Sequence, residues 1–278
     1  ARLTTVDMVR LLELAAHGPD TFVGTGPRYH WEGLYGGHIV AQSLRAAALT
    51  VDPAFEVHSL RAYFIRRGDH REPIRFEVDR IRNGSAFGTR RVVARQDNGA
   101  ILNLEASFQR HEDTVASSSV VMAVVPRPEE FANEPWTHIF DRVPVPMEPV
   151  DGRSPIGSGR SVTWMRAAVP LGDDQLVHRC ALAYMSDDMP TEAVARTFDF
   201  IPEPGRFDEY WFAASLDHSI WFHHPLAADD WHLYDFRCHA YAQGRGLTVG
   251  HVFRADGTHV ATIAQEVLLR ARRAPSPT

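Results

Sequence analysis

The sequence predicts an α+β fold in which a helix-plus-antiparallel-sheet unit occurs twice. Two observations carry this expectation. Each half of the chain holds a helical segment followed by four strand-like runs, and the runs of the two halves align at a maintained offset, with a slight shift at the last hairpin turn (Asp97-Asn98-Gly99 against Asp256-Gly257).

In the first half, residues 38–49 read as a helix rich in small side chains, with Ala41, Ser43, Ala46, Ala47 and Ala48 letting it lie close to a sheet. Strand-like runs follow at 57–66, 74–82, 86–96 and 100–110. Ile74, Phe76 and Val78 alternate with Arg75, Glu77 and Asp79, the pattern of a strand with one buried face. Gly68-Asp69, Asn83-Gly84 and Asp97-Asn98-Gly99 supply the hairpin turns. One helix followed by four such strands is an α+β unit, with the sheet covering the helix. Upstream, 5–16 reads as an amphipathic helix with Met8, Leu11, Leu12 and Ala15 on one face. Thr4 or Thr5 would cap it, Gly18-Pro19-Asp20 would stop it, and 24–28 reads as a turn-rich link.

The segment 113–157 changes character. It carries seven prolines, from Pro126 to Pro155, and no sustained periodicity, so it reads as a connector laid over the surface. Phe131, Trp136, Ile139 and Phe140 are apolar anchors for it. Beyond it, 176–185 is helical and strand-like runs recur at about 218–224, 231–242, 247–254 and 258–270. His58-Ser59-Leu60 and His218-Ser219-Ile220 lie 160 apart, as do Gly84 and Gly244, Phe87 and Leu247, and Arg110 and Arg270. This is internal duplication. It divides the chain into repeats at 1–112 and 158–278, joined by 113–157.

Bulk properties exclude several classes. Of the 278 residues, 44% are hydrophobic and 23% charged, ordinary for a chain with a real core. A net charge of −6 argues against a general nucleic-acid binder. Two cysteines, Cys180 and Cys238, give no disulfide scaffold and fit a reducing cytoplasm. No apolar run is long enough for a membrane span, and 1–5 lacks the apolar stretch of a signal peptide. The sequence has no G-x-S-x-G nucleophile elbow, no phosphate-binding glycine loop and no Cys/His cluster with zinc spacing. His223 and His224 are adjacent on a strand and point to opposite faces, so no metal site is expected there.

Four motifs carry a family likeness, in order along nearly the whole chain apart from the connector. They are the run from Gly33 to Gln42 (with Gly36-Gly37), the run from Val57 to Asp69, Ser215-Leu216-Asp217-His218-Ser219-Ile220-Trp221-Phe222-His223, and Ala264-Gln265-Glu266. Together they resemble the bacterial acyl-CoA thioesterase II family, which includes the peroxisomal acyl-CoA thioesterases. The resemblance implies a double hotdog fold, an acyl-CoA substrate, no metal or organic cofactor, and a dimer or tetramer of double hotdogs. It also implies that Asp187, Ser215 and Gln265 hold the attacking water. Asp188 follows Asp187 directly, which leaves open which carboxylate faces the site.

Thioester hydrolysis needs a base for the water, and a positioned carboxylate such as Asp187 suits that task. Ser215 and Gln265 accept and donate hydrogen bonds and so can orient the water. Backbone N–H groups at the helix start after Gly36 and Gly37 are candidate donors to the substrate carbonyl oxygen. His58 completes the substrate-binding candidates, with a structural role as its plain alternative. At the offset of 160, Ser215 falls on Phe55 and Gln265 on Glu105, so one competent site per chain is expected, at the seam between unequal halves. Two rival readings remain: a hydratase or dehydratase of the same fold using Asp217-His218, and a catalytically silent acyl-CoA-binding protein.

Overall fold

The computed structural model describes residues 6–31, 33–146, 157–198 and 206–272. Among them, strands in the order β1-β2-β4-β5-β6-β3-β10-β13-β12-β11-β8-β7 form one antiparallel sheet, and β9 pairs with β13 off this path. In the first half these are β1 (Ala15–Ala16), β2 (Thr21–Gly24), β3 (Phe55–Phe64), β4 (Ile74–Asn83), β5 (Phe87–Gln96) and β6 (Gly99–Arg110). In the second they are β7 (Phe140–Pro144), β8 (Arg160–Ala167), β9 (Trp211–Ser215), β10 (Asp217–Phe222), β11 (His232–Ala242), β12 (Arg245–Arg254) and β13 (His259–Ala271). The order is a palindrome. Reading outward from the joint between β3 and β10, β6 matches β13, β5 matches β12, β4 matches β11, and β2 matches β8.

The sheet forms where the alternation predicts. Ile74, Phe76 and Val78 of β4 are buried, while Arg75, Glu77 and Asp79 face outward and pair with one another or with Arg91 and Arg95. Gln243 and Gly244 both take positive φ in the tight β11–β12 turn, the backbone that suits a two-residue hairpin. The helices α2 (Gly36–Ala48) and α3 (Gln175–Met185) pack against each other, α2 across β2 to β6. A third, α4 (Met189–Ala195), crosses β8, β11, β12 and β13. One continuous core links both halves.

Several expectations need correction. The helix expected over 5–16 is a single turn, α1 (Met8–Leu11), capped by Asp7, whose side chain accepts from the Arg10 N–H at 2.9 Å. Ala15 and Ala16 instead pair with Val23 and Phe22, since the left-handed turn at Gly18 and Asp20 folds this segment into a hairpin. Thr4 and Thr5 lie outside the described residues. The connector is not wholly irregular: β7 lies inside it and extends the sheet, with Ile139 and Phe140 fully buried. Pro190 lies in the first turn of α4, where a missing N–H costs nothing.

The internal offset also shifts. Leu60 faces Ile220 across the joint, 160 positions apart. Their neighbours on the next strands are Ala106 and Ile263, which are 157 apart. The β12–β13 hairpin is three residues shorter than β5–β6, so the last strand is out of step with the offset of 160. Gln265 therefore corresponds in space to Phe108, and Val267, not Arg270, to Arg110. Glu105 faces outward opposite Arg61 and Arg91.

Candidate active site

The end of α3, the start of α2 and the strands β9, β10 and β13 meet at the seam. Asp187 follows α3 by two residues and is 6% exposed. Its Oδ1 accepts the Ser215 hydroxyl at 2.8 Å and the Gln265 Nε2–H at 2.9 Å. Gln265 gives its second amide proton to Ser215 Oγ, also at 2.9 Å. Asp187 Oδ2 accepts the Gly37 N–H at 2.9 Å. All three expected residues are thus joined in one hydrogen-bonded set, and Gly37 joins them from the other half of the chain. The Gly37 N–H is therefore spent on the carboxylate, so that donor is not open to a substrate carbonyl.

Glycine is required at both positions by close approach. A Cβ on Gly37 would lie 2.1 Å from the Tyr184 carbonyl oxygen, which would force α2 and α3 apart. A Cβ on Gly36 would lie 2.5 Å from Asp187 Oδ2 and 2.9 Å from the Phe64 ring. The first glycine lets the helices meet, and the second leaves one carboxylate oxygen uncovered.

His218 is the residue that sequence reasoning undervalued. It is fully buried on β10 and places Nδ1 against Gln265 Oε1 and Nε2 2.9 Å from Ser186 Oγ. Gln265 Oε1 can only accept, so Nδ1 carries the proton. Burial holds the imidazole neutral, with its pKa lowered, so Nε2 accepts from the Ser186 hydroxyl. This pins the Gln265 amide with its NH2 toward Asp187. The available signal was alternation: His218 and Gln265 both occupy inward positions on adjacent strands.

Burial raises the Asp187 pKa above the ordinary carboxylate value of 3.8; His218, Gln265, Ser215 and Gly37 pull against it. Asp188 is employed elsewhere. It accepts Trp136 Nε1–H at 2.6 Å and Arg142 Nε–H at 2.7 Å, and Arg142 also pairs with Glu192. Of the two adjacent carboxylates, Asp187 alone faces the cluster. Trp136 also stacks edge-on against Tyr35 at 5.1 Å, so the connector walls the start of α2.

His58 does not join the cluster. It sits in the β3 bulge between Val57 and Ser59, bonded to Ser107 Oγ at 2.8 Å and edge-on to Phe87. The bulge turns it away from the position His218 holds. Asp217 and His218 diverge as neighbours on a strand should: Asp217 Oδ1 takes the Glu266 N–H at 2.7 Å, while His218 points into the core. No Asp217–His218 acid–base pair exists for a hydratase. Trp221 lies under the Arg61 guanidinium at 5.1 Å, and Phe222 is core.

Residues 27–109 match the acyl-CoA thioesterase N-terminal domain, and 116–269 the acyl-CoA thioesterase C-terminal domain. The chain belongs to the acyl-CoA thioesterase family. This family member is 33% identical to acyl-coenzyme A thioesterase 8 of Homo sapiens over 97% of its own length and 91% of the human chain. It is 29% identical to acyl-CoA thioesterase 2 of Haemophilus influenzae, covering 95% and 97%. A solved acyl-CoA thioesterase II from Mycobacterium marinum superposes with a TM-score of 0.82 at 35% identity, over 97% and 99% of the two chains. A protein from Alicyclobacillus acidocaldarius described as having a hot dog fold superposes at 0.77 with 18% identity over 95% and 98%, a likeness of fold. No helix among the described residues is long and apolar enough to cross a membrane.

Proposed function

We propose that the protein hydrolyses acyl-CoA thioesters to a free carboxylic acid and CoA, with Asp187 as general base. The observation that carries this is the convergence of Ser215, Gln265 and Gly37 on one buried carboxylate. A carboxylate offers about four acceptor positions. Oδ1 has two filled and Oδ2 one, so a single position remains on Oδ2, the oxygen that Gly36 leaves uncovered.

A water held there loses a proton to Asp187 as its oxygen attacks the thioester carbonyl carbon. The tetrahedral intermediate then expels the thiolate, the C–S bond breaks, and Asp187 returns the proton to sulfur. Ser215 and Gln265 orient the water and hold the carboxylate in one rotamer, which removes an entropic part of the barrier. His218 positions Gln265. A raised pKa on Asp187 brings the base nearer to operating pH, where proton transfer is more effective.

The palindromic strand order supports a double hotdog with repeats at 1–112 and 158–278 and a connector at 113–157. Two unpaired cysteines fit a cytoplasmic location, and the family likeness supports a homodimer or homotetramer. Thiol release from acyl-CoA esters of graded length and branching tests the activity. Release that is absent for the whole panel would overturn it in favour of silent binding.

A further inference from the structure

The palindrome gives the active site a counterpart in the first half, and its chemistry is inverted. Asp187 follows the last residue of α3 by two positions, and Thr50 follows the last residue of α2 by two. Ser215 pairs with Val267 and Phe55 with Arg110, which keeps Phe55 in the place of Ser215. With Phe108 in the place of Gln265, the carboxylate, hydroxyl and amide are replaced by Thr50 and two aromatic rings. Next to them opens a cleft of about 320 Å³, lined among others by Thr50, Asp52, Phe55, Arg80, Arg90 and Arg110.

The charge in this cleft is out of balance. Arg90 is 2% exposed, and its N–H groups all go to neutral oxygens: Thr50 Oγ1 and O, Arg82 O, Thr89 O and Asn83 Oδ1. No ion pair among the described residues includes it. Arg80 is neutralised by Asp20 at 2.8 Å. Arg110 is held with its guanidinium 4.7 Å over the Phe55 ring, and its Nε–H reaches Ser85 O only at a long 3.4 Å. Asp52 is the only carboxylate among the lining residues, and it accepts the Ala54 N–H. Burial, and then the charge of Arg80, lower the Arg90 pKa, and Asp20, the carboxylate paired with Arg80, offsets this only in part. With its N–H groups already used, Arg90 gives the cleft a positive potential and no direct contact, while Arg110 presents the planar fork that phosphate oxygens match. The volume lies at the small end of ligand pockets, enough for a phosphorylated small molecule.

We propose that this cleft is a binding site for a phosphate-bearing anion, separate from the Asp187 cluster and built on its degenerate counterpart. The phosphate can belong to a CoA-type substrate or to a free phosphate or nucleotide. Arg90 is unsuited to a test because it also fastens the end of α2, so the variants are Arg110→Ala and Arg110→Gln, each checked for an unchanged Tm.

The experiment is calorimetric titration of the whole protein with inorganic phosphate and with pyrophosphate, at ionic strength fixed by sodium chloride. It is paired with KM for an acyl-CoA and for the matching acyl-pantetheine, which lacks the nucleotide phosphates. Saturable binding that weakens tenfold or more in both variants is the expected result. If KM for acyl-CoA alone also rises, the phosphate is the substrate's; if neither KM moves, it is a free ligand. Absence of binding together with unchanged KM values, or binding equally strong in the variants, overturns the proposal. The titration needs no turnover, so it stands even where thiol release fails.

Discussion

Leu60 and Ile220 face each other across the joint between β3 and β10, at equivalent positions of the two halves. A residue paired with its own counterpart marks where a pseudo-two-fold axis pierces the sheet. The axis brings the start of α2 to the end of α3, which is why Gly37 of one half meets Asp187 of the other. Symmetry creates two such meeting points, and only one of them carries the carboxylate.

Asp187→Asn is expected to lower kcat by about 10²–10⁴-fold, the usual worth of a positioned base. Removing the buried charge favours the fold, but the new amide NH2 meets the Gly37 N–H that Oδ2 now accepts, so the two effects oppose and Tm should change only modestly. Thiol release and thermal melting together check this. Near-normal turnover would sink the assignment.

The same shift sets the acid side of the pH profile. The base works only when ionised, so activity falls as pH drops through the Asp187 pKa. Because that value is raised, the limb of kcat/KM lies above 3.8. A profile flat down to pH 4 would contradict Asp187 as the base.

The two glycines should separate cleanly. Gly36→Ala places a methyl 2.5 Å from Asp187 Oδ2, so it should cut kcat strongly with a modest effect on melting. Gly37→Ala meets a backbone oxygen at 2.1 Å, which no side-chain rotation relieves, and overpacking of this kind costs roughly 1–3 kcal/mol or more. A drop in Tm for the second and a drop in kcat for the first is the predicted pattern.

Asp188→Ala should behave as a stability variant. It strips the acceptor from Trp136 Nε1 and Arg142 Nε, and stranded buried donors cost about 1–3 kcal/mol each. Denaturant melting should register the loss, while kcat of the remaining folded enzyme stays within a few-fold. Equal kcat losses for Asp187 and Asp188 variants would mean that the two carboxylates share the role.

His218→Phe removes the donor that fixes the Gln265 amide. Kcat should fall while KM changes little, because Gln265 is then free to turn its oxygen toward Asp187. An unchanged kcat would show that Gln265 is held by Asp187 and Ser215 alone.

Much of this was legible in the sequence, for reasons that differ by residue. The long strands declared themselves because one face is buried, which enforces alternation over Ile74, Phe76 and Val78. Asp187, Ser215 and Gln265 came from family motifs; alone they are ordinary polar residues. What the sequence hid depends on register and tertiary pairing. Ala15 and Ala16 obey a helical period yet pair as strand, because the hairpin at Gly18 offers them partners. The shorter last turn (Asp256-Gly257 against Asp97-Asn98-Gly99) is visible in the sequence, but only the strand register shows that it moves Gln265 onto Phe108. His58 and His218 share a motif, and one bulge sends them to different surroundings.

The seam lies within one polypeptide, and that changes how the site responds to dilution. A carboxylate from one subunit and a glycine N–H from another would part as concentration fell, since their meeting would be a bimolecular event. Here the segment from Arg110 to Arg160 tethers the halves, so Gly37 always finds Asp187 at a high effective concentration. Whatever assembly these chains form with one another, each carries its own Gly37–Asp187 contact down to the last molecule.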